Sequence, residues 1–154
     1  MENNGAEIVV KCLQEENVKS KRTVSVLQNA VACRADRYQF VDPELGENGF
    51  RAVSSEDGDL LGVTIDSVVE LNSEHTPFII KIDIEGGESD LFNHNIDWLE
   101  KFPVIIIELH DWLLPKSASS KSFLSAISKL DRDFIMCGEN VFSISNTEFS
   151  TSKK

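Results

Sequence analysis

Residues 78–88, FIIKIDIEGGE, constrain the fold more than any other stretch of this chain. Side chains alternate through residues 78–84, which predicts a β-strand with Lys81, Asp83 and Glu85 on one face and Ile80, Ile82 and Ile84 on the other. Gly86 and Gly87 then predict a turn into a helix. Open α/β sheets bind ligands beyond the carboxyl ends of their strands, at turns of this kind. Three ionisable groups approaching such a turn predict a site. A strand with a solvated polar face, as antiparallel sheets use freely, is the alternative this segment leaves open.

A second stretch, FPVIIIELHD at residues 102–111, favours the site. Residues 104–107 are continuously apolar, as a parallel strand buried on both faces should be, and Glu108 and His110 then share a face. Between the strands, Leu91, Phe92, Ile96, Trp98, Leu99 and Phe102 fall at helical spacing, with Glu88 and Asp90 in the first turn, where the helix dipole favours acids. A strand–helix–strand unit of this size predicts parallel neighbours joined by a right-handed crossover. Such strands stand about 4.8 Å apart. Asp83, Glu85, Glu108 and His110 are therefore predicted to share one crevice.

The pair KIDIEGGE at residues 81–88 and IIIELHD at residues 105–111 resembles the FkbM-type S-adenosylmethionine-dependent methyltransferases. Residues 63–71, VTIDSVVEL, are similar to the short helix that precedes the first of these strands in that family, and Gly87 stands where alanine is commoner. The resemblance implies a Rossmann-like α/β fold with a mostly parallel sheet. It also implies O-methylation of a hydroxyl on a small molecule or sugar, with S-adenosylmethionine as donor. By the same resemblance Lys81, Asp83, Glu85 and His110 are the catalytic candidates, and Glu88 and Glu108 bind substrate. Glu2, Asn29, Ala30 and Asp83 are the cofactor candidates.

Each candidate has a plainer reading. Glu2 is otherwise an exposed terminal acid, Asn29-Ala30 a polar strand end, and Asp83 a structural ion-pair partner of Lys81. Glu88 is otherwise a first-turn helix acid. His110, whose ordinary pKa lies near neutrality, is the natural general base, or else a capping or exposed histidine. His75 and His94 lie in polar surroundings and read as surface residues. Clustered carboxylates repel one another, so at least one should have a raised pKa. Their oxygens also suit a divalent cation such as Mg²⁺, a reading that ranks below pairing with Lys81.

At 154 residues the chain reads as one domain, at residues 1–145, with a polar tail at 146–154. A net charge of −11 argues against nucleic acid or an anionic membrane as partner, because both need a basic footprint. Cys12, Cys33 and Cys137 show no spacing for zinc or a disulfide framework, which points to a reducing compartment. Residues 1–10 lack a basic-then-apolar leader, and no apolar run approaches the roughly eighteen residues of a membrane span. The expectation is a cytoplasmic chain.

Ala6, Val9, Val10 and Leu13 predict an opening helix capped by Asn3 or Asn4. The basic run at residues 19–22 reads as a solvated loop, and residues 23–32 as a strand. Residues 38–42 and 48–53 predict a hairpin, 54–59 a polar loop, and 122–130 an amphipathic helix. Residues 134–136 and 141–144, around Gly138-Glu139-Asn140, predict a closing antiparallel hairpin.

No two of the eight glycines have the Gly-x-Gly spacing that lets backbone approach the methionine part of such a cofactor. The expectation is accordingly a truncated Rossmann-like domain lacking its first strand and glycine loop. Three functions follow: a methyltransferase fragment, a non-catalytic module that self-associates through the uncovered sheet edge, or a metal-dependent enzyme using the acidic cluster.

Overall fold

The computed structural model describes residues 8–12, 23–41, 51–84, 87–112 and 115–147. The chain opens with β1 (Ile8–Cys12), paired antiparallel with β2 (Thr23–Leu27). This corrects the expected opening helix. Ile8, Val9 and Val10 are β-branched, and β-branched residues favour the extended backbone over the helical one. The expected cap at Asn3 or Asn4 lies outside the described residues.

Next come β3 (Ala30–Val31), β4 (Arg37–Val41), β5 (Arg51–Ser54) and β6 (Leu60–Val63), in the sheet order β3-β6-β4-β5. The strand expected over residues 23–32 is interrupted before Ala30. There the Asn29 side-chain amide donates to the Leu61 carbonyl at 3.1 Å, a short polar side chain standing in for backbone pairing. The β4–β5 hairpin is present as expected. Strand β6, which had not been anticipated, runs past Gly62, where a Cβ would lie 2.5 Å from the Arg34 carbonyl oxygen. Helix α1 (Ile65–Leu71) follows, and Thr64 Oγ1 caps it by accepting from the Ser67 amide at 3.1 Å.

The second half carries β7 (Ile79–Ile82), α2 (Glu88–Leu91), a 3₁₀ turn (Asp97–Lys101) and β8 (Val104–Glu108). Helix α3 (Lys121–Ile127), β9 (Arg132–Cys137) and β10 (Asn140–Ser145) complete it. The helix expected between β7 and β8 is broken in two. Asn95 at the break has φ of 52°, a left-handed conformation that asparagine tolerates.

These strands form the sheet β7-β8-β10-β9, with β7 and β8 parallel and the other two pairings antiparallel. The architecture is mixed α/β. The expectation of a mostly parallel sheet is corrected, because each four-stranded sheet holds a single parallel pairing. The cause is local. The tight turn at Gly138, whose φ is +60°, forces β9 and β10 antiparallel, and β10 inserts beside β8.

Helices α2 and α3 and the 3₁₀ turn pack on one face of this sheet. Ile82, Ile105 and Ile107 meet Leu91, Trp98 and Phe123 there, all buried. Burying one such side chain is worth about 2 kcal/mol. Asp90 ties the β3-β6-β4-β5 sheet to this core by accepting from Tyr38 Oη at 3.2 Å and from the Cys33 amide at 3.5 Å. Burial, reinforced by the Asp90 charge, pushes the Cys33 thiol and the Tyr38 phenol up. No described helix is long and apolar enough to cross a membrane.

Candidate functional site

The parallel register pairs Ile79 with Val104 and Ile82 with Ile107, so one step further Asp83 stands level with Glu108. The two strands thus deliver their polar ends to one place, as the alternation of residues 78–84 and the apolar run of 104–107 predicted. Beyond the β7 tip the chain turns into α2 at Gly87. A Cβ there would lie 3.1 Å from the Ile84 carbonyl oxygen, so glycine lets the helix start close against the strand end.

That closeness buries Glu88. It is 0% exposed, and its Oε1 lies 2.5 Å from His110 Nδ1. His110 is 2% exposed, and its Nε2 lies 3.7 Å from Asp83 Oδ1 and 3.8 Å from Glu108 Oε1. An ionised carboxylate accepts but cannot donate, so a charged Glu88 accepts from His110 Nδ1–H and leaves Nε2 facing the acidic tips. Glu88 Oε2 has no hydrogen-bond partner among the described residues.

Lys81 supplies the opposing charge. Its ammonium lies 2.6 Å from Asp83 Oδ2 and 3.9 Å from Glu108 Oε2. Burial pushes the Glu108 carboxyl above the usual range, helped by a hydrogen bond with Glu139 and by the Asp83 charge, while His110 opposes the shift. The raised carboxylate expected of the cluster is therefore Glu108. Next along the chain, Asp111 accepts from the Ser120 amide at 3.2 Å and from Ser119 Oγ at 3.1 Å. A hydrogen bond with the Ser120 side chain is the main reason its pKa is lowered, and the Ser120 amide and Ser119 add to it. Trp112 follows, exposed, with its ring centroid 6.4 Å from that of His110.

Lys81, Asp83, Glu88, Glu108 and His110 are thus assembled around one imidazole. Glu88, expected to bind substrate, is instead wholly buried behind the ring, because α2 begins so close to the strand. Its contact is His110. Glu2 and Glu85 lie outside the described residues. Asn29 and Ala30 belong to the other sheet, where the Asn29 amide is committed to Leu61 and Ala30 is buried beside Ala32 and Tyr38. Sequence reasoning passed over Trp112 and Glu139; adjacency to the ELHD motif was the one signal for Trp112.

Asp83, Glu108 and His110 each offer a ligand atom, all within 4.8 Å of one another. Two carboxylates and an imidazole suit a first-row divalent metal better than Mg²⁺ or Ca²⁺, and Glu88 stands where a ligand histidine's outer carboxylate would. The Lys81 ammonium already meets both acids, which makes an ion pair the simpler account of the cluster.

No protein-family model matches the chain, and no solved structure matches it. The chain is similar to the hexuronic acid methyltransferase AglP of Haloferax volcanii, at 29% identity over 127 residues. That match covers 79% of this chain and 53% of AglP, so the chain spans about half the length of the curated relative it matches. This distant likeness supports a methyltransferase relationship.

Proposed function

We propose that this chain carries the acceptor-activating part of an FkbM-type, S-adenosylmethionine-dependent O-methyltransferase acting on a hydroxyl of a sugar or small molecule. The observation that carries the reading is the buried Glu88–His110 hydrogen bond at the tip of a parallel strand pair, facing Asp83 and Glu108. Similarity to a sugar-acid methyltransferase supports it.

S-adenosylmethionine would supply an electrophilic methyl group on a sulfonium sulfur. The residues of this chain act on the acceptor. Asp83 and Glu108 accept hydrogen bonds from acceptor hydroxyls and orient one of them, and His110 Nε2 takes the proton that this hydroxyl loses. Glu88 holds the ring and stabilises the imidazolium that forms, as the carboxylate of a catalytic triad does. Lys81 limits repulsion between Asp83 and Glu108. On the donor side the fit is partial. Of the residues expected to hold the cofactor, the Asn29 amide is committed to Leu61 and Ala30 is buried, and the sequence has no Gly-x-Gly loop for the methionine part. We take the chain to be one portion of a larger cytoplasmic catalytic unit.

Calorimetric titration of the chain with S-adenosylhomocysteine, then with Mg²⁺ and Mn²⁺, tests this. Binding of S-adenosylhomocysteine is expected. Binding of metal alone would replace the reading with a metal-dependent enzyme. A second reading, an assembly module, is favoured by the sheet face away from the helices, where Ile79 and Ile135 are exposed. Concentration-dependent dimers in light scattering, with no response to either ligand, would select it.

A further inference from the structure

Trp112 is 64% exposed, whereas Trp98, the other tryptophan, is 2% exposed in the core. Leaving an indole in water forgoes its burial energy, and single exposed apolar residues need no explanation of their own. Trp112 differs in where it stands. It follows the strand-end motif directly, its ring lies against the buried His110 imidazole at 6.4 Å and 45°, and the preceding Asp111 is pinned by Ser119 and Ser120. The indole is therefore presented on an anchored stretch of chain, at the carboxyl end of β8.

The polar groups around His110 specify what would lie on it. Asp83 and Glu108 can only accept hydrogen bonds when ionised, so the crevice calls for a ligand with several adjacent donors. An aryl or lipid alcohol brings a single hydroxyl; a pyranose ring brings a rim of them. A pyranose also has a face of C–H bonds, whose partial positive charge suits the negative face of an indole. We propose that Trp112 is the stacking platform of a sugar subsite, with the ring's C–H face on the indole and its hydroxyls directed at Asp83, Glu108 and His110. Naming that sugar the methyl acceptor rests on the methyl-transfer reading; the platform itself does not.

Saturation-transfer NMR with methyl β-D-glucopyranoside and with D-glucuronate tests the platform, with acyclic sorbitol as control. In the wild type, saturation should reach the C–H protons of one ring face, and the pyranosides should shield the exposed tryptophan from acrylamide while sorbitol does not. Trp112→Ala should weaken pyranoside binding about tenfold with an unchanged unfolding midpoint, and Trp112→Phe should keep part of it. Equal saturation in Trp112→Ala, or equal shielding by sorbitol, overturns the proposal. Comparing glucoside with glucuronate tells a neutral acceptor from an anionic one. Pyranoside binding without S-adenosylhomocysteine binding would sink the methyl-transfer reading and leave the platform standing; the reverse result would do the opposite.

Discussion

Strand β8 has a buried ionisable side chain at each end, and the two are treated in opposite ways. Near its start the Arg132 guanidinium, 8% exposed, makes five hydrogen bonds. It donates to the Ser143 hydroxyl and carbonyl and to the carbonyls of Leu99, Phe102 and Pro103. No carboxylate is among these acceptors, and burial lowers its pKa. Near the strand's end Glu88 spends one oxygen on His110, and the other has no hydrogen-bond partner among the described residues. A buried charge with this many acceptors locks structure, because its loss would remove a hydrogen bond from each group it meets. An under-satisfied one behind an imidazole that itself faces two carboxylates is the pattern expected where stability is given up for chemistry.

The largest effect should come from the satisfied end. Arg132→Met removes a hydrogen bond from each of four carbonyl groups, of which Pro103 keeps the Ser145 amide, and should cost about 3 kcal/mol or more, read as a lower urea midpoint with an unchanged slope. A loss below about 1 kcal/mol would show that the cage is ornamental and break the contrast. At the other end Glu88→Gln should leave the midpoint nearly unchanged while lowering the proposed methyl transfer about a hundredfold, because an amide can donate to Nδ1 and select the wrong tautomer. A large stability loss with normal turnover would make Glu88 a second Arg132.

Glu108→Gln should act least. Its folded pKa is raised, so the wild type binds more protons folded than unfolded and loses stability as pH rises from about 4.3, the ordinary glutamate value. The substitution removes that cost. At pH 7 the variant should be more stable by at most about 1 kcal/mol, and the gain should vanish below about pH 4. A gain that persists in acid would assign the effect to packing.

The active end of this comparison was legible in the sequence because its signals are local. Alternation set the β7 face, the apolar run marked β8, and Glu-Gly-Gly marked the turn between strand and helix. The rest depends on tertiary context. Residues 8–12 satisfy helical spacing and β propensity alike, and pairing with β2 settles the choice. The insertion of β10 between β8 and β9 follows from where a hairpin docks, which no short-range pattern encodes. A first-turn glutamate is ordinarily solvated, so the burial of Glu88 could be found only from how tightly α2 abuts β7. Arg132 left no trace in the pattern at all, since all but one of its acceptors are main-chain carbonyls.

The claim beneath the whole account is that Glu88 fixes His110 with its basic nitrogen toward Asp83 and Glu108. ¹⁵N-resolved NMR of the imidazole at pH 8 reads this directly. The account predicts a neutral ring protonated at Nδ1, switching to the other tautomer in Glu88→Gln. A proton resident on Nε2 in the wild type at that pH would contradict it.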